Sequence, residues 1–149
     1  MVHKGLRGIG IVVLVGLFGI AGCGGGSSLS KAEYHQKLEL VCNKGLQERE
    51  EFLTKVGEEL AKKGGKSTPR SQAENIRKLV AVYQGTTEEI AEIGVPEQEG
   101  KKAEELVQAR EEAAKKVDAN PLRARAAIGT IFAKATKVGE ELEVESCAR

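Results

Sequence analysis

The chain has 149 residues, with 23 lysines and arginines against 22 aspartates and glutamates and a formal net charge of +1. That balance offers no basic excess to attract nucleic acid. With three phenylalanines, two tyrosines and no tryptophan, the chain also lacks a platform on which bases or sugars could stack.

His3, Lys4 and Arg7 precede an apolar run from Ile9 to Ala21, which closes on Ala21 and Gly22 just before Cys23. The run has thirteen residues and is broken by glycines, whereas a spanning helix needs about 20 mostly apolar residues. A transmembrane helix with Cys23 as a bystander thiol is therefore the weaker alternative. A basic start, a short apolar stretch and a small-residue site are the layout of a secretory signal. Ile20-Ala21-Gly22-Cys23 resembles the lipobox of bacterial lipoproteins. The resemblance implies that signal peptidase reads Ile20, Ala21 and Gly22, that residues 1–22 are removed as a signal peptide, and that Cys23 carries the lipid. The mature chain would then sit on the extracytoplasmic face of the cell membrane, with the membrane as its first partner.

Residues 23–29 hold the lipidated cysteine and a Gly/Ser tether, whose reach is about 12–14 Å at ~5–6 Å × √n. Residues 30–149 are long enough for one domain with its own core. Loss of residues 1–22 leaves the charge close to neutral, so the exclusion of nucleic acid as a partner stands.

The first helix opens on a Ser30-x-x-Glu33 capping box, with Leu29 and Tyr34 at the positions of a hydrophobic staple. Tyr34, Leu38, Val41, Cys42, Phe52, Val56 and Leu60 recur at helical spacing to about Lys63, where Gly64-Gly65 ends the element. Gly45 and Gly57 each cost about 1 kcal/mol relative to alanine, so a bend is expected near one of them. Thr68 before Pro69, or Ser71-x-x-Glu74 a turn later, starts the second helix. Its stripe is Ile76, Leu79, Val80, Tyr83, Ile90 and Ile93, and Gly85-Thr86-Thr87-Glu88-Glu89 predicts a kink or break within it.

Gly94-Val95-Pro96 separates a third helix, Glu97 to about Asp118, whose apolar line is Ala103, Leu106, Val107, Ala113, Ala114 and Val117. Its many charges read as a solvated face. Asn120-Pro121 starts a fourth helix with Leu122, Ala124, Ile128, Ile131, Ala135, Val138 and Leu142 on one face, expected to run to Ser146-Cys147. Four amphipathic helices with short connections and no period-two run predict an all-α, antiparallel up-down-up-down four-helix bundle. A three-helix bundle plus a hairpin is the alternative if the second helix breaks at Gly85.

With Cys23 assigned to lipid, Cys42 and Cys147 remain as a pair in a compartment where disulfides persist. By elimination they form a bridge, joining helix one to the end of helix four. Two free thiols, or one redox-active cysteine, are the alternatives, though neither residue lies in a Cys-x-x-Cys pair or near a histidine in sequence.

Ser30-Lys31-Ala32-Glu33-Tyr34, then Val41-Cys42, the Ile93-Gly94-Val95-Pro96 turn and a terminal Ser146-Cys147-Ala148 together resemble a group of small actinobacterial lipoproteins of unknown function. The resemblance adds weight to the anchor and the bridge and implies no catalytic residues.

Chemistry finds few candidates. A di-iron bundle needs two Glu-x-x-His pairs, and beyond Cys23 the sequence has the single histidine His35, which shares a helix face with Glu39. That pair falls short of a metal site with three or four ligands. No catalytic elbow or nucleotide loop follows Cys23, and Glu50-Glu51, Glu58-Glu59 and Glu88-Glu89 are neighbours that do not face each other on a helix. The expectation is no catalytic residue, no metal and no cofactor. The favoured function is a non-catalytic interaction or scaffold module of the cell envelope, with an envelope protein or the wall as partner. A carrier or sensor holding a small apolar ligand between helices is the alternative, and a bundle enzyme stands behind both. Gly45, Gly129, Ala135 and Gly139 on the core faces favour close helix approach over a large cavity.

Overall fold

Ser30 begins the first helix, α1 (Lys31–Lys62), as its sequence dictates: its hydroxyl accepts the Glu33 amide hydrogen while the Glu33 carboxylate accepts from the Ser30 amide. The computed structural model describes residues 29–149. The expected signal peptide, the Ile20-Ala21-Gly22 recognition site, the lipid-bearing Cys23 and the tether as far as Ser28 lie outside the described residues. Among the described residues the chain is all-helical, without strands, and no helix is long and apolar enough to cross a membrane.

α1 is unbroken, so neither Gly45 nor Gly57 divides it. It ends where expected: Gly64 takes φ 64°, and the Gly65 amide donates back to the Leu60 carbonyl at 2.8 Å, closing a Schellman turn. Thr68 caps α2 (Pro69–Ala91) through Ser71, with Pro69 at the first position. The expected break near Gly85 is absent, because the cap-like threonines turn inward. Thr86 and Thr87 donate to the carbonyls of Val82 and Tyr83 one turn back and are buried against neighbouring helices.

A 3-10 turn (Glu97–Glu99) leads into α3 (Gly100–Ala119), which starts three residues later than the Glu97 start the sequence pattern suggested. The expected fourth helix is not continuous. It comprises a single turn, α4 (Pro121–Ala124), a 3-10 turn (Arg125–Ala127), and α5 (Ile128–Glu141). α5 stops short of Ser146-Cys147: Glu143 takes a left-handed φ of 57°, and the Val144 amide donates to the Gly139 carbonyl at 3.2 Å. This is again a Schellman end, here on a glutamate. The chain then folds back through a last 3-10 turn (Glu145–Ala148), which lies so close to Gly139 that a β-carbon there would stand 2.8–2.9 Å from the backbone of Cys147 and Ala148.

α1 packs on α2, α2 on α3, and α3 on α5; α1 meets the terminal turn, which in turn packs on α5. A Cys42–Cys147 disulfide ties α1 to that turn, not to α5 itself. Two apolar clusters result. One gathers Tyr34, Leu38, Cys42, Ile90, Leu106, Val138, Leu142, Val144 and Cys147. The other gathers Val80, Ala114, Val117 and Ala124, with Ile76, Tyr83, Ile131 and Phe132 around them. α1 contributes only to the first. Along its distal half Leu46, Phe52, Val56 and Leu60 are only half-buried, and Leu53 is 49% exposed.

Candidate functional site

Two groups of polar side chains enter the interior, and each is placed by a local feature of its helix. The first lies at the start of α1. The Ser30 cap fixes the first turn, so Lys31, Tyr34 and His35 fall at i, i+3 and i+4 and share a face. Opposite them, buried Pro96 starts the 3-10 turn whose last residue, Glu99, is itself buried. The Lys31 ammonium lies 3.0 Å from the Glu99 carboxylate, and His35 Nε2 lies 3.9 Å from the same oxygen. The hydrogen bond and charge of Glu99 hold the Lys31 ammonium above its ordinary pKa.

Tyr34 is fully buried, and burial pushes its phenol up to about 12, with the charge of Glu99 adding to the effect. Tyr34 Oη and His35 Nε2 have no hydrogen-bond partner. Buried polar atoms are seldom left so, and an ordered water or a small polar group would satisfy both. His35 therefore faces Glu99 across the fold as well as sharing a face with Glu39 on its own helix. Among the described residues no three His, Cys, Asp or Glu side chains gather as a metal would require.

The second group lies at the middle of the helices. Arg110 of α3 is only 5% exposed. Its Nε donates to Thr87 Oγ1 at 3.1 Å, and its guanidinium carbon sits 3.9 Å from the centre of the Tyr83 ring. Tyr83 in turn takes the edge of Phe132 at 4.7 Å. Burial lowers the pKa of Arg110, Tyr83 opposes that, and the charge of Arg49 on α1 lowers it further. Burial also pushes the Tyr83 phenol up to about 12. Sequence reading put the charges of α3 on a solvated face. The signal that places Arg110 inside was nonetheless present, because it stands four after Leu106 and three and four before Ala113 and Ala114, on the apolar line itself.

The Cys42–Cys147 bridge is buried in the first cluster. Two shallow hollows on the described surface are lined by charged and polar side chains, one by Gln47, Glu51 and Lys55 along α1, the other by Glu140, Glu145 and Arg149 at the terminal turn. Neither is an enclosed apolar space between helices. No family model, curated protein or solved structure matches the chain.

Proposed function

We propose that the chain is a lipid-anchored module of the extracytoplasmic membrane face, held at Cys23, that works by contact with another envelope component and carries out no catalysis. One observation carries this reading: the distal half of α1 joins neither apolar cluster, its Phe52, Val56 and Leu60 are only half-buried, and Leu53 is open to solvent. Leu53 lies 22 residues beyond Lys31, about 33 Å along the helix at ~1.5 Å per residue. A short tether at the other end of α1 would turn this face away from the bilayer, toward a protein partner with an apolar helix of its own.

The same reading takes the helices as an antiparallel up-down-up-down bundle, its fourth helix interrupted near Arg125, with the bridge joining helix one to the turn that follows helix four. Three contacts support it. Lys44 pairs with Glu89, Arg77 with Asp118, and Lys102 donates to the Glu141 carbonyl, each linking an early part of one helix to the last turn of another.

The test is site-specific photocrosslinking in the native envelope. A probe at Leu53 is expected to give one discrete adduct, a probe at exposed Ala81 on α2 none, and Leu53→Glu is expected to block binding without lowering the melting temperature. Equal adducts at both positions, or none at either, would reject the contact reading.

A further inference from the structure

The near balance of 23 basic and 22 acidic residues conceals a segregation of charge along the fold. Residues 79–100 and 138–148 contain no lysine or arginine, and residues 60–73 and 119–139 contain no aspartate or glutamate. The base-free stretches meet at the first apolar cluster: they supply its Ile90, Leu142 and Val144, and Lys102, just beyond one stretch, donates to the Glu141 carbonyl of the other at 3.0 Å. The acid-free stretches lie at the second cluster. Residues 119–139 supply Ala124, Ile131 and Phe132, residues 60–73 turn from α1 into α2 just before Ile76, and the Arg77–Asp118 pair at 3.6 Å sets the early part of α2 beside the end of α3. Helix stability does not account for this arrangement. α2 has Arg70 in its first turn and Glu88 and Glu89 in its last, and α5 ends on Glu140 and Glu141, all placed against the helix macrodipole.

At the cationic end Lys62, Lys63, Lys66, Arg123, Arg125 and Lys134 are exposed and enter no ion pair among the described residues. They stand on several elements and neither described hollow gathers them, so they suit successive charges along a chain better than one compact anion. Four are lysines, whose ammonium binds phosphate as a point charge. Leu122 and Ile128 are exposed beside these cations, as on a surface that meets an anionic bilayer. An anchor at Cys23 argues against the bilayer, because about 45–50 Å of α1 separates its membrane-side start from Lys62 at ~1.5 Å per residue.

We propose that this end of the fold, carried by residues 60–73 and 119–139, is a docking surface for a linear phosphate-bearing polymer of the envelope. The acidic end, beside the start of α1, is repelled by an anionic membrane and leaves the cationic end facing outward. The surface does not use Leu53, and only the choice of polymer over bilayer rests on the anchor.

The experiment titrates long-chain inorganic polyphosphate by calorimetry into the protein purified from its membrane in nonionic detergent. Saturable binding is expected, weakening about fiftyfold from ~50 to ~200 mM chloride for about four neutralised phosphates at a slope of about −0.7 each. Arg123→Gln combined with Arg125→Gln should weaken it about tenfold or more at the lower salt. Lys37→Gln combined with Lys101→Gln removes the same charge from exposed positions at the acidic end and should change it by less than about twofold. Vesicles of phosphatidylcholine, with and without about one-third phosphatidylglycerol, supply the competing partner; a lipid anchor enters both alike, so no preference for the anionic vesicles that depends on Arg123 and Arg125 is expected. Absence of saturable polyphosphate binding, an equal loss in the two double variants, or an anionic-vesicle preference abolished by the Arg123→Gln, Arg125→Gln variant would overturn the surface.

Discussion

Gly45 and Gly57 lie twelve residues apart on one uninterrupted helix, and alanine should act on them with opposite sign. In a helix interior glycine costs about 0.5–1 kcal/mol relative to alanine. A β-carbon at Gly57 meets nothing within 4 Å, so Gly57→Ala should realise that gain in full. At Gly45 the same β-carbon would stand 2.7 Å from Thr86 Cγ2 and 3.0 Å from Thr86 Cβ, with Oγ1 nearer still. Carbon atoms rest at about 3.5–4.0 Å, so α1 and α2 would have to part by roughly 1 Å. Thr86 cannot swing clear without loss, because its hydroxyl is bonded to the Val82 carbonyl. Overpacking of this kind costs about 1–3 kcal/mol, which offsets the helical gain and leaves Gly45→Ala destabilised by about 1–2 kcal/mol. Denaturant unfolding of the disulfide-intact protein measures both, and Thr86→Ala combined with Gly45→Ala should show a coupling of about 1 kcal/mol or more. If Gly45→Ala stabilises as Gly57→Ala does, the close approach of α1 and α2 at this level is wrong.

Three further outcomes follow from particular contacts. Cys42→Ser removes a cross-link spanning a sequence separation of 105, for which the chain-entropy model gives about 4–5 kcal/mol; an unchanged denaturation midpoint would contradict it. Glu143→Gly relieves a left-handed glutamate and should stabilise by up to about 1 kcal/mol, whereas Glu143→Ala should bring no such gain. Tyr34 is protonated in both states below pH ~10; above that the unfolded phenol ionises first, so stability from its raised folded pKa of about 12 is lost as pH climbs from about 10 to about 12, some 2–3 kcal/mol in all. Ultraviolet titration of the folded protein should show no phenolate until well above the ordinary tyrosine range, and a step at the ordinary value would refute the burial.

Start and stop signals were the most legible part of the sequence. Ser30 with Glu33, Gly64-Gly65 and Thr68-Pro69 each act through one or two hydrogen bonds that local residues supply, while Asn120-Pro121 makes no side-chain cap bond and acts through the fixed φ of proline; each lies at a helix boundary of the fold. The Cys42–Cys147 bridge was legible by elimination. What local pattern misled on was decided by distant partners. Gly85-Thr86-Thr87 looks like a cap until Gly45 and Arg110 are present to receive the two hydroxyl-bearing side chains. The end of α5 carries no glycine signal, since its left-handed position is occupied by Glu143 and is held by the disulfide-tied turn beyond. Glu99 and Arg110 were read as solvated because charged residues usually are; their burial depends on Lys31 in one case and on Tyr83 and Thr87 in the other.

The central claim, that this domain is held at the membrane by Cys23 and acts from there by contact, is tested most directly by intact mass analysis of the protein extracted from its native membrane, beside Cys23→Ala. The expected result is a chain beginning at Cys23 with the mass of a lipid added, and loss of both the cleavage and the added mass in the variant. An unprocessed chain without lipid, or a Cys23→Ala variant retained and processed like the parent, would contradict it.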